Sequence, residues 1–378
     1  MRDYHTIRML HPLCTATLVV LGMIIIATTN PERGGAMVLK ETYIPVYGIK
    51  INPLNPAIIY VASSKGLFKT TNGAATWKKV IKGLPKNCSG QSLAIDGSNP
   101  DILYAGTYGA GLYKSINSGG SWTAINKGLE DTPSIFSIGI DPSQSKKMYV
   151  GTRGGGVYMT INGGKNWKQS GMEGCSVYGL EIDPNAPATI YAGTGSCGIF
   201  KSTNGGEYWL PSSDGLTDGT DSHVFGLAMD KSTPSILYAG TNERGAFKST
   251  NGGNLWKAIN KGLGNVWGLA VTAFAIDPTN SKTIYSSVCY EAGMAHGGVF
   301  KSTNSGATWK AMNNGLVDLL AFTLAIDPIN PKTLYVGLSS GVYKSMDGGA
   351  NWKAMNNGLD KGPSSDGVAP GFGSRVDF

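Results

Sequence analysis

KSTNGGEYW occupies residues 201–209, and the chain writes it again as KSTNGGNLW at 248–256, KSTNSGATW at 301–309 and KSMDGGANW at 344–352. Looser copies stand upstream: MTINGGKNW at 159–167, KSINSGGSW at 114–122 and KTTNGAATW at 69–77. The tryptophans of the seven copies, Trp77, Trp122, Trp167, Trp209, Trp256, Trp309 and Trp352, are spaced by 45, 45, 42, 47, 53 and 43 residues. A period in the forties suits a four-stranded propeller blade. One whole unit, SIGIDPSQSKKMYVGTRGGGVYMTINGGKNWKQ at 137–169, shows the parts. An apolar stretch ends in IDP, MYVGT and GVYMT follow, and a last short strand starts at the Trp. Asp-Pro, Gly-rich and Asn-Gly-Gly turns separate them. The strands are rich in Val, Ile, Tyr and Trp, and nothing between them is long or periodic enough for a helix.

Units begin near Val46, Ser92, Ser137, Val177, Val224, Phe274 and Phe322. One blade cannot bury both of its faces, but seven packed radially can. The sequence therefore predicts an all-β, seven-bladed β-propeller of four-stranded antiparallel blades over 37–359. Whether 37–43 adds a strand that closes the ring stays open. Residues 360–378, rich in Gly, Pro and Ser, are expected to form a disordered tail.

Residues 1–36 read differently. A short basic segment precedes LCTATLVVLGMIIIATT (13–29), which carries no charge. That is the pattern of an export signal or of an uncleaved N-terminal membrane anchor, although the apolar run is short of the ~20 residues of a comfortable span. Either reading places the body of the protein in the periplasm or an equivalent extracytoplasmic compartment. The chain has 32 Lys and Arg against 25 Asp and Glu, a net +7 over 378 residues. The excess is mild and forms no arginine-rich run, which argues against nucleic acid as a partner.

The pattern Ser/Thr-x-Asn/Asp-x-Gly-x-x-Trp resembles the Asp-box, or BNR repeat, of the hairpin between the third and fourth strands of such blades. Two departures stand out. Ala74 takes a Gly place, and Asn72, Asn117, Asn162, Asn204, Asn251 and Asn304 replace the acid, leaving only Asp347. An Asx turn, a glycine at positive φ and a Trp packed over the turn suffice to explain the motif as a fold device. One carboxylate falls far short of the roughly 6–8 oxygens calcium takes. The recurrent lysines read as scaffold too: Lys78, Lys168, Lys257, Lys310 and Lys353 lie on the outermost strands, where charge discourages edge pairing.

Function is sought in what differs between copies. In a four-stranded blade, the loops before the first strand and between the second and third share one face, and the boxes lie on the other. Cys88, Cys175, Cys197, Cys289, His223 and His296 all map to the first face. A disulfide, free thiols and a Cys/His metal site are the alternatives there. Cys175 and Cys197, in one blade, are the favoured pair if a disulfide forms. No C-x-x-C occurs, and no cofactor is implied. The same face carries the length variation, so its candidate binding residues are Asp214, Asp218, Asp221, His223, Tyr290, Glu291, His296, Arg153 and Arg244. Trp267, Phe136, Tyr178, Phe225 and Tyr290 are candidates for stacking on a sugar, with a core position expected for most of them.

Three families with Asp-box propellers frame the function. Sialidases hold a substrate carboxylate with three arginines, and this propeller has only Arg153 and Arg244. The IDPxxPxxxYAGT…GVYKSTNGGxxW units are similar to those of xyloglucan-cleaving glycoside hydrolases, which set two rings face to face with a catalytic carboxylate from each. One ring cannot supply that pair. The chain also resembles the photosystem II stability and assembly factor of cyanobacteria and plastids, a single exported ring that binds partner proteins; that family's basic patch is of arginines, and this chain has lysines. These resemblances imply a non-catalytic interaction propeller, an assembly factor or accessory subunit whose partners are other proteins of a membrane-associated or extracytoplasmic complex. A glycan-binding or glycoside-hydrolase-like propeller is the alternative, and the sequence leans away from an enzyme.

Overall fold

The computed structural model describes residues 43–216, 223–264, 269–290 and 297–359. All lie in one compact unit, 39–365. The N-terminal apolar segment and the C-terminal tail lie outside the described residues.

Twenty-eight strands form seven four-stranded antiparallel sheets, each of four strands consecutive in the chain. In the first blade these are Val46–Ile51, Ile59–Ser63, Gly66–Thr70 and Lys78–Lys79. The first strands of successive blades touch one another and so form the inner wall of the ring. Second strands such as Met148–Thr152 are buried at every position, because both faces are covered by neighbouring blades. Fourth strands have one neighbour and are largely exposed, with Lys78, Lys168, Lys257, Lys310 and Lys353 all facing solvent.

Each box hairpin closes on its own side chains. In the fifth blade Ser249 Oγ donates to Asn251 Oδ1 (2.9 Å), Gly253 N donates to Ser249 Oγ (3.0 Å) and Leu255 N to Asn251 Oδ1 (3.0 Å). The seventh blade does the same with a carboxylate: Asp347 accepts from Ser345 Oγ and from the main-chain and side-chain nitrogens of Asn351. These bonds hold its carboxyl down at about 2. The Gly place of the box lies at positive φ, and Ala74 adopts it too, at φ 74°.

A second recurrent motif follows the Trp: IKGL at 81–84, NKGL at 126–129 and 260–263, SDGL at 213–216, and NNGL at 313–316 and 356–359. It latches six of the seven blades to the next. Six box tryptophans donate their indole N–H to a carbonyl of the preceding blade at 2.7–2.9 Å. Their main-chain N–H groups donate to a second carbonyl there at 2.8–2.9 Å. The motif's glycine sits so close that a Cβ on Gly128 would lie 2.2 Å from Trp167 O. The ring closes with the same latch, Trp77 bonding Asn357 O and Met355 O, and with Ile44 N on Ser339 O. Among the described residues no strand is exchanged between first and last blades.

Candidate functional site

Topology gives the ring two unlike faces. The IDP turns and the boxes share one. There Asp96, Asp141, Asp183, Asp230, Asp277 and Asp327 each accept main-chain N–H bonds within their own turns. The lysine that opens a box lies over the ring of the second-strand tyrosine of its blade, as Lys69 does over Tyr60 (5.4 Å). Five of these lysines also donate to a box carbonyl of the next blade, Lys69 to Ser118 O at 2.9 Å and Lys344 to Gly73 O at 3.1 Å. Burial pulls Lys69, Lys248 and Lys344 below the usual lysine range. In the third blade, where Met159 stands in the lysine place, Lys147 covers Tyr149 instead. The box face is thus occupied with holding blade to blade.

The opposite face carries the departures from the repeat. Cys175 and Cys197 form a disulfide with Cα atoms 6.2 Å apart. Cys88 is buried, which pushes its thiol up to about 11, and Cys289 is half-buried in the second strand of blade six. The Arg153 guanidinium bonds the Tyr108 hydroxyl and lies over its ring, 5.5 Å from the centroid. The main-chain carbonyl of Arg244 accepts from Asn260 Nδ2 at 2.9 Å. His223 stacks on Phe225 at 6.2 Å, and its carbonyl accepts from Asn242 N. Tyr290 ends its strand paired with Leu269. Asp214 is placed elsewhere: its carbonyl accepts from Trp256 N, and it borders a shallow depression with the box residues Asn204 and Asn254. It is part of a latch rather than a neighbour of His223. Asp218, Asp221, Glu291, His296 and Trp267 lie outside the described residues. No cluster of three His, Cys, Asp or Glu side chains able to hold a metal exists among the described residues.

The inner wall carries a feature the sequence reading missed. Every first strand is bulged near its start, with one residue left out of register. A bulge re-aims the side chain it frees. The bulged residues are Tyr47, Gln91, Phe136, Tyr178, Phe225, Thr272 and Phe322, so five of seven are aromatic. Phe136 and Tyr178 stack at 5.1 Å, Tyr178 meets Phe225 edge-on at 5.1 Å, and Tyr47 meets Phe322 at 5.6 Å. All five are half-buried, so the core position expected for Phe136, Tyr178 and Phe225 gives way to a collar around the channel. The signal was present as an aromatic in second place in VYG, IFS, VYG, VFG and AFT, at 46, 135, 177, 224 and 321.

Farther along the channel, toward the box face, stand Lys50, Glu181 and Lys231. Lys231 pairs with Glu181 at 2.5 Å. Lys50 is exposed to water although protein surrounds it, and that enclosure lowers its ammonium below the usual range. Other off-pattern acids serve turns: Glu130 accepts from Gly128 N, and Asp318 from Leu320 N and Ser340 N.

No protein-family model and no curated protein matches the chain. Solved structures do. The xyloglucanase of glycoside hydrolase family 74 from Xanthomonas campestris is 15% identical, with a TM-score of 0.69 over 83% of this chain and 55% of its own. This chain thus spans about half of that enzyme. YCF48 from Cyanidioschyzon merolae is 14% identical, with a TM-score of 0.58 over 80% of this chain and 96% of its own, and a YCF48 bound to D1 peptide matches similarly. The extracellular domain of a candidate one-component system from B. thetaiotaomicron is 14% identical, with a TM-score of 0.61 over 80% of this chain and 38% of its own. What the chain shares with an assembly factor, a hydrolase and a sensor domain is one architecture, the seven-bladed ring of four-stranded blades.

Proposed function

We propose that this propeller is a non-catalytic interaction module, an assembly factor or accessory subunit of an extracytoplasmic or membrane-associated protein complex, exported by its N-terminal segment. One observation carries the reading: the two faces divide their labour. The box face spends its lysines, tyrosines and aspartates on holding the ring, whereas the opposite face gathers the disulfide, the aromatic collar, Arg153, Arg244 and His223. A rigid scaffold with one variable face is the usual design of a binding protein. YCF48 bound to D1 peptide and the extracellular sensor domain support protein partners and an extracytoplasmic setting. No helix among the described residues is long and apolar enough to cross a membrane. The test is purification of the native protein from membranes and periplasm, followed by cross-linking and mass spectrometry. Stoichiometric partners cross-linked to the disulfide face are expected, and a partnerless monomer overturns the reading.

The clustered rings of Phe136, Tyr178 and Phe225 favour a second reading, glycan binding, because aromatic faces suit sugar rings. A glycan array with a hydrolysis screen tests it.

A further inference from the structure

Three features of the channel converge. Each innermost strand has a sheet partner on one side only, so main-chain N–H and C=O groups of its other edge turn toward the channel. Near the entry some are already satisfied, Ile135 O by Ser92 Oγ, Val177 O by Ser137 Oγ and Ala321 O by Thr272 Oγ1. The aromatic collar comes next. Three residues beyond Tyr47, about 10 Å along the strand, stands Lys50. The register position opposite the second-strand tyrosine carries Ala or Gly in five blades and breaks the pattern only as Lys50 and Glu181. Glu181 is paired with Lys231; Lys50 feels both that carboxylate and that ammonium across the channel but makes no ion pair of its own among the described residues. An enclosed, water-accessible ammonium at the end of an apolar collar favours an anion that arrives on an apolar body.

We propose that the channel receives the C-terminus of a partner polypeptide: the last apolar side chains against Tyr47, Phe136, Tyr178, Phe225 and Phe322, the terminal carboxylate on Lys50. This rests on the protein-interaction reading above and names the partner's chemistry. The free strand edges choose a peptide over a hydrocarbon acid, since they offer partners to amides. The distance fits as well: three extended residues span about 10 Å.

The probe is a fluorescein-labelled octapeptide of glycine and serine ending in leucine and phenylalanine, as free acid and as C-terminal amide, titrated by anisotropy into the full chain. The free acid is expected to bind at least about tenfold tighter than the amide, the value of a charge-assisted bond. Lys50→Gln is expected to abolish that difference and Lys50→Arg to keep it, with unchanged melting temperatures. Equal binding of acid and amide, or a difference that survives in Lys50→Gln, overturns the proposal, as does failure of the free acid to bind. Binding of 3-phenylpropionate without the peptide overturns it in favour of small acids. If native cross-linking captures the same partner with wild type and with Lys50→Gln, the interaction reading stands and this one falls.

Discussion

Six junctions between blades are built alike, and the one between blades three and four is not. At the six, a Trp bonds twice to the preceding blade over a glycine. At the seventh, KQSGMEGC (168–175) replaces the Gly-Leu motif. Trp209 makes only a 3.4 Å contact from its indole nitrogen to Ser170 Oγ, and at 9% it is the most exposed of the box tryptophans. On the box face Ser170 Oγ and the Tyr149 hydroxyl still bond Gly206 O and Gly205 O of blade four, and the opposite face adds further ties. Gly174 N and Gly156 N join the linker to blade three's loop through Gly154 O and Cys175 O, and the disulfide pins the end of that linker, Cys175, to Cys197 within blade four. Where the repeated latch is weakest, the linker is bonded to blade three and covalently pinned within blade four, so the seven copies are alike as folds but not as joints.

The two kinds of junction should answer differently to substitution. The largest effect is expected from Gly128→Val at a regular junction, which adds a side chain where a Cβ would sit 2.2 Å from a carbonyl, at φ 93°. A loss of about 4 kcal/mol or more, read by urea unfolding, follows from overpacking and left-handed strain. The double change Cys175→Ser, Cys197→Ser opens a loop with a separation of 22 residues. It should cost about 3 kcal/mol by loop entropy, with hydrogen exchange rising first around 172–176 and 196–198. Trp309→Phe leaves the Ile259 carbonyl without its indole donor and should cost about 2 kcal/mol, whereas Trp209→Phe should cost about half that. Equal costs for the two would show that the junctions are energetically alike. Ala74→Gly relieves a left-handed alanine and should stabilise by about 1 kcal/mol. The smallest effect concerns the one box with a carboxylate. Because the Asp347 carboxyl is lowered to about 2, its contribution is complete above the ordinary carboxylate range and is lost as the pH falls toward 2. Asp347→Asn should flatten stability over that acid window alone, measured by melting temperature against pH.

The repeat made the ring legible, since a box, a Trp and a period specify one blade and seven of them a closed wall. The strand starts shifted slightly: the innermost strands of blades two and six begin at Ser89 and Leu269, upstream of Ser92 and Phe274, because their pairing runs on past the bulge, Ser89 with Tyr108 and Leu269 with Tyr290. The Gly-Leu latch was equally visible in the letters, but its meaning lies in a contact with the next blade. The lysines opening the boxes recur with the repeat and read as scaffold, but their bonds to the neighbouring box could not be inferred without the register between sheets. Least legible was the meeting of Lys50, Glu181 and Lys231. They come from blades one, four and five, and only ring closure brings them together.

The closing latch at Trp77 has a thermodynamic consequence. An open array of repeats frays from its ends, because a terminal repeat has one neighbour to leave. In a ring joined at every seam no blade is terminal. Releasing one blade means breaking two junctions at once, and breaking a single junction gains little chain freedom. The seven blades should therefore melt as one unit, with the first opening at whichever joint is weakest.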